Sequence, residues 1–221
     1  MTGIRHHPKT ETLAAYAAGA LDEARAVVIT THLDLCDACR TAARDFETLG
    51  GICLEHAEPV AIKEGALERF WLRAGDAPAE STPASTRAAN DFDLGEARPL
   101  SAYLKGGLDA VKWRPIASGI AQCVLDAQGY RKGVLRLLKI APGVRLSKHT
   151  HGGEELTLIL RGAYEDELGE FHPGDLADLD DEATHSPCAI GEEPCICLIA
   201  ASAPLKFKGL AGKIVQPFIG L

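Results

Sequence analysis

The sequence has no uninterrupted apolar run approaching the ~20 residues that span a bilayer as a helix. Its opening, MTGIRHHPKTE, has none of the apolar centre of a secretion signal. These two absences exclude a membrane-spanning helix and lead us to expect a cytoplasmic protein. Basic clusters are missing too. Residues 1–80 carry 8 Lys and Arg against 13 Asp and Glu, the remainder 15 against 18, and the net charge is −8. Direct nucleic-acid binding is disfavoured, because neutralising phosphates requires a concentrated positive face. There is no internal repeat. An even cysteine count, the signature of a disulfide framework, is also absent: there are seven. In a reducing compartment these are expected as free thiols or thiolate ligands.

With 221 residues and 46% hydrophobic content, the chain is long enough for one large domain or two modest cores. From Thr10 to about Ala74, Ala, Leu, Glu and Arg dominate and Leu13, Tyr16, Ala17 and Ala20 recur at helical spacing. Three or four short amphipathic helices follow from that pattern. The stretch GDAPAESTPASTRAANDFDLGEARP is poor in large apolar residues and reads as an extended linker. After Pro99 come short apolar, β-branched runs: GIAQCVLDA, GVLRLLKI, ELTLILRGAY, PGDLADLD and CICLIAAS. Turn signals between them, Ala127-Gln128-Gly129 and Ala141-Pro142-Gly143, predict an all-β barrel or sandwich. The expected organisation is a helical unit over 1–75, a linker over 76–98 and a β unit over 99–221.

The stretch THLDLCDAC places His32 four residues before Cys36 and seven before Cys39. On one continuous helix the three side chains would fall within about 60° of one another. A break near Leu33 with a restart at Asp37 would instead set both cysteines at a helix N-terminus, where free N–H groups stabilise thiolates. Two sulfurs and one imidazole leave one vacancy in a tetrahedral zinc site. Another histidine should fill it. The tandem His6-His7 is best placed, with His7 preferred because Pro8 fixes the chain beside it; His56 is a weaker alternative. The competing readings are two half-buried thiols beside a surface imidazole, and a redox dithiol.

A second constellation lies in GVRLSKHTHGGEELTLILRG. On a strand His149 and His151 share a face, and Glu155, opening the next strand, can return to meet them. His185 in DDEATHSP is the candidate from an adjacent strand. Three imidazoles and a carboxylate suit an ion that prefers nitrogen and oxygen. The spacing from Gly143 to Gly162, and from Gly174 to His185, resembles the two motifs of the cupin fold. Asp180 and Glu182 depart from it, standing where cupins usually have proline and glycine, so the turn before His185 is atypical. Glu154 belongs to the opposite face, and His172, beside Pro173, is expected in solvent. The competing reading is a barrel that keeps the ligand pattern without a metal.

HLDLCDAC has the His-x3-Cys-x2-Cys pattern of the zinc-binding anti-sigma factors, helical proteins that wrap around a group IV (extracytoplasmic function) sigma factor. Joined to a cupin-like unit, and with AAYAAGALDEA, THLDLCDACR, GEELTLILRGAYEDE, CICLIAA and KIVQPFIGL, the chain resembles the ChrR-type anti-sigma factors across nearly its whole length. The resemblance implies an α + β multidomain fold, a small helical zinc-binding anti-sigma domain followed by a cupin-like antiparallel β-barrel. It implies a group IV sigma factor as partner, inhibition by the N-terminal domain, and a cupin-like domain needed for the response to singlet oxygen and related oxidants. Zn2+ would sit at His7, His32, Cys36 and Cys39, and Zn2+ or another divalent metal at His149, His151, Glu155 and His185. Leu67, Phe70 and Trp71 are expected either as sigma-facing anchors or as domain core. Cys195 and Cys197 share a strand face, with core packing as the default and a redox role as the alternative. No residue is expected to be catalytic. The rival reading is a metal-dependent cupin enzyme of dioxygenase or isomerase type, with the helices as a dimerisation or docking module.

Overall fold

The structure, a computed structural model, describes residues 3–75, 98–104, 106–126, 134–150, 152–202 and 206–207. The expected linker, but for its last residue, lies outside the described residues, as do His151, the turn Ala127-Gln128-Gly129 and the terminal KIVQPFIGL. Four helices come first: α1 (Thr10–Ala17), α2 (Glu23–Leu35), α3 (Asp37–Glu55) and α4 (Ala66–Gly75). Asp22 opens α2 by accepting the Arg25 N–H at 2.9 Å, one of the four donors a helix start leaves unpaired. The polypeptide breaks at Cys36, whose extended backbone (φ −118, ψ 103) both ends α2 and starts α3. Of the two geometries the sequence allowed for His32, Cys36 and Cys39, the broken helix is the one present.

A short helix α5 (Arg98–Ser101) leads, among the described residues, into twelve strands. The main sheet has the order β1-β2-β3-β11-β5-β8, comprising Arg114–Ala117, Ile120–Leu125, Val134–Ile140, Cys195–Ala201, Glu155–Arg161 and Leu176–Leu179. Two three-stranded sheets complete the β unit. One is β10-β6-β7 (Cys188–Ile190, Ala163–Asp166, Gly169–Phe171); the other is β12-β4-β9 (Lys206–Phe207, His149–Thr150, Thr184–His185). Among the described residues the strand pairings are antiparallel.

The central strands β3, β5 and β11 are buried on both faces. One parity, Leu138, Ile140, Ile159, Cys195 and Cys197, faces the barrel interior with Tyr164 and Phe171. The other, Leu135, Leu137, Leu156, Leu158, Leu198 and Ala200, packs with Val28, Ile29 and Leu33 of α2 and with Leu100 of α5. Burial on both faces is why these strands read as nearly continuous apolar runs rather than one-sided alternation. Side chains of the helical unit and the β unit therefore share one buried cluster.

Candidate metal centres

The first centre gathers His7, His32, Cys36 and Cys39, one donor atom from each lying within 4.8 Å of the others. Among the described residues this is the one such group of three or more histidine, cysteine or acidic donors. His7 Nδ1 stands 3.5 Å from Cys36 Sγ and 3.3 Å from Cys39 Sγ. Neighbouring nitrogen and sulfur ligands on a tetrahedral zinc are about 3.6 Å apart, given the usual bond lengths. Cys36 and Cys39 are buried free thiols. Burial, with Cys36 beside it, pushes the Cys39 thiol up to about 12. A cation between the sulfurs reverses that preference.

His32 gives the sharpest test of fit. It is completely buried, and its Nδ1 donates to the Gly174 carbonyl at 3.0 Å, since a carbonyl can only accept. Burial pulls the ring down to about 4, so it is neutral at physiological pH. With the proton on Nδ1, Nε2 carries a lone pair, and that atom is buried with no hydrogen-bond partner among the described residues. An orphaned acceptor of this kind costs free energy unless something binds it. A metal ion would do so, the opposite nitrogen being fixed by a backbone carbonyl in the manner of metal-ligating histidines.

The other two histidines weighed for this site lie elsewhere. His6 stacks on Phe171 with ring centroids 4.1 Å apart, and its Nε2 lies 3.1 Å from the Glu170 carbonyl. His56 is exposed, its Nδ1 donating to the Ile52 carbonyl at 2.8 Å.

The second centre is inside the barrel. His149 and His185 are direct cross-strand partners on β4 and β9, and their Nε2 atoms approach to 3.0 Å. His149 Nδ1 donates to the Ser147 carbonyl at 2.9 Å, and His185 Nδ1 to the Asp166 carboxylate at 2.8 Å. The two Nε2 atoms therefore face each other across the cavity, an arrangement that a shared cation or proton stabilises. Adjacent ligands with ~2.0–2.1 Å bonds to one ion lie about 3.0–3.4 Å apart. Glu155, fully enclosed, lines the same cavity; burial pushes its carboxyl up, against the pull of His149, His185 and Arg136. Glu154 points outward into solvent and meets Arg25. His172, one-third exposed, faces Glu170.

The cavity around this centre measures about 40 Å³ and has largely apolar walls, with Arg136, Thr157 and Tyr164 as further polar groups. Tyr164 has a buried hydroxyl with no hydrogen-bond partner among the described residues. Cys195 and Cys197 are both buried on β11, and Cys197 lines the cavity. Hydrogen bonding with Cys195, together with burial, holds the Cys197 thiol well above its ordinary range, which disfavours the reactive thiolate.

Three contributors were not visible in the motifs: Asp166 behind His185, and Gly174 and Asp175 behind the first centre. In the sequence PGDLADLD reads as a strand run and Gly174 as the start of the cupin-like spacing to His185, with nothing to tie either to His32. The Gly174 contact with His32 bridges 142 positions, beyond the reach of any local pattern.

Comparison with known proteins bears on both parts of the chain. Residues 10–40 match a zinc-finger family and residues 106–204 match the ChrR cupin-like domain. The zinc-finger match and the sulfur–nitrogen cluster together support zinc in the N-terminal part. The chain is 40% identical to the anti-sigma-E factor ChrR of Cereibacter sphaeroides over 97% of its own length and 98% of that protein. It is similar to ChrR in the crystal structure of Rhodobacter sphaeroides SigE bound to that anti-sigma factor. There the TM-score is 0.72 at 38% identity, over 90% of this chain and 99% of the other. A likeness to KdgF of Halomonas sp., TM-score 0.38 at 17% identity over 43% of this chain and 89% of that one, carries no functional weight. On the strength of the near full-length identity, the chain belongs to the ChrR family of anti-sigma factors.

Proposed function

We propose that this protein is an anti-sigma factor that holds a group IV sigma factor inactive and releases it in response to an oxidant such as singlet oxygen. Its near full-length similarity to a protein named for sigma inhibition, itself solved with its sigma factor, carries the reading. Residues 1–75 form the zinc-binding anti-sigma domain, 76–98 the linker, and 99–221 the cupin-like domain needed for the response. The protein acts in the cytoplasm and does not contact nucleic acid itself.

His7, His32, Cys36 and Cys39 hold zinc. The ion ties the chain ahead of α1 to the α2–α3 junction, supplying folding free energy that helices of 8 and 13 residues lack alone. His149, His151, Glu155 and His185 hold Zn2+ or another divalent ion in the barrel. A metal there would supply a fixed positive charge that organises the buried imidazoles and carboxylate.

The sigma-facing surface is the exposed apolar side of α3 and α4. In α4 no residue is buried, yet Leu67, Phe70 and Trp71, at helical spacing, are 56%, 53% and 62% exposed. Of the two readings of these side chains, partner anchors fit the exposure and domain core does not. On α3, Leu49 and Ile52, one turn apart, are exposed as well. An exposed apolar stripe such as that of Leu67, Phe70 and Trp71 marks a protein-binding site.

The test is titration of the purified zinc-loaded chain with the group IV sigma factor of the same source, followed by exposure to singlet oxygen. Tight one-to-one binding that is lost on exposure is the expected result. Failure to bind overturns the reading, and binding indifferent to the oxidant overturns its sensory half.

A further inference from the structure

The segment Ile4–Lys9, which carries His7, runs along the edge strand β8 of the barrel. Arg5 and His6 donate their N–H groups to Asp175 Oδ1 at 2.6 and 3.0 Å, and the His6 carbonyl accepts from the Leu176 N–H at 3.1 Å. Asp175 is 1% exposed, and its second oxygen accepts the His172 N–H at 2.9 Å. One buried carboxylate thus binds its own turn with one oxygen and the approach to His7 with the other. The neighbouring residue, Gly174, gives its carbonyl to His32 Nδ1. The fit is close: Gly174 has φ +93, and a Cβ there would meet Ile4 Cγ1 at 2.9 Å.

We infer that the β7–β8 turn, residues 172–175, is the outer layer of the N-terminal zinc site, so that the barrel sets how firmly the helical unit keeps its metal. This rests on the reading that His7, His32, Cys36 and Cys39 hold zinc. Gly174 and Asp175 are positioning residues. The Gly174 carbonyl keeps the proton on His32 Nδ1 and presents Nε2 to the metal. Asp175 fixes the backbone just ahead of His7. Outer partners of metal-bound histidines set metal affinity by about 10–100-fold.

The same turn reaches the barrel interior. Phe171, which precedes it, stacks on His6 from one side and on Tyr164 from the other, at 4.1 and 4.8 Å between centroids. Tyr164 lines the barrel cavity. A rearrangement around that cavity that displaces the turn withdraws support from both histidine donors of the zinc site together, which gives the cupin-like domain a route to the anti-sigma domain.

The experiment uses the full chain loaded with cobalt(II), whose thiolate charge-transfer absorption reports only the site with Cys36 and Cys39, since the barrel ligands are nitrogen and oxygen. Loss of that band is followed after adding excess chelator. Asp175→Ala is expected to release the metal about 10–100-fold faster than wild type. Glu154→Ala, which removes only the Arg25 ion pair between helices and barrel, is expected to match wild type. Equal rates for Asp175→Ala and wild type overturn the inference, as does equal acceleration by Glu154→Ala, which would mean general loosening of the contact.

Nitrogen-15 spectra of wild-type protein give a readout that survives a misfolded variant. His32 should be metal-bound through Nε2 with a slowly exchanging Nδ1–H; ligation through Nδ1 overturns the assignment. A wild-type chain that shows no thiolate band at all refutes the metal reading itself rather than this dependence on the turn.

Discussion

His32 and His185 each have one ring nitrogen committed to a neighbour that only accepts, so the protein decides in advance which nitrogen meets a metal. For His32 the neighbour is a carbonyl, and for His185 the carboxylate of Asp166, whose side chain is completely buried. Substituting Asp166→Asn leaves the ring's partner uncharged and free to present an N–H, so the barrel's metal affinity should fall about 10–100-fold. Equilibrium competition with a chelator, monitored on the barrel site in a Cys39→Ser background, checks this. The N-terminal site makes a different prediction about pH. Cys39, pushed up to about 12, keeps its proton throughout the neutral range in the metal-free protein, whereas His32, pulled down to about 4, has none to lose. Zinc must displace the Cys39 proton but takes none from His32. Affinity therefore falls as pH falls, by at least about tenfold per unit for that proton. An affinity that stays flat between about pH 8 and about pH 6 would contradict thiolate ligation.

At the scale of elements, α4 is the exception in a chain whose other long elements have buried faces. Its apolar stripe is out in water, with Phe70 and Trp71 touching edge to face at 5.1 Å. Phe70→Ala and Trp71→Ala should each weaken sigma binding by about 2–4 kcal/mol, the range of buried aromatic anchors in interfaces. They should leave the melting of the free chain within about 0.5 kcal/mol of wild type, since exposed side chains contribute little to stability. A large loss of stability would return these residues to the core.

Such element-level features were largely legible in the sequence. The helices over 10–75, strands β2, β3, β5, β8 and β11, and the His-x3-Cys-x2-Cys spacing all follow from period, composition and ligand chemistry. The docking of helices onto sheet did not, although a trace of it was present. GVLRLLKI, ELTLILR and CICLIAA are apolar at both parities, which a sheet with one wet face does not require. Which element covers the second face depends on contacts between residues more than a hundred positions apart, and no local pattern encodes those. The same holds for Gly174 and Asp175, whose role at His32 and His7 arises only once the edge strand meets the N-terminal segment.

For the whole molecule, the shared core means that α2 belongs to two structures at once. Ile29 and Val28 are fully buried between the helical unit and the outer face of the main sheet, in one cluster with Leu156, Leu158 and Leu198. Three residues further along α2, His32, the proposed zinc donor, gives its Nδ1–H to the barrel's Gly174 carbonyl. Helices and barrel should consequently unfold as one cooperative unit, because exposing the outer sheet face and freeing α2 are the same event. Ile29→Ala leaves a cavity in that common layer and should destabilise by about 2–5 kcal/mol. If the core is shared, the variant lowers the helical signal in far-ultraviolet circular dichroism and the barrel's buried tyrosine fluorescence at the same denaturant concentration, with the two transitions still superimposed. A shift confined to the helical transition, with the barrel melting as before, would show instead that the two units fold independently and merely touch.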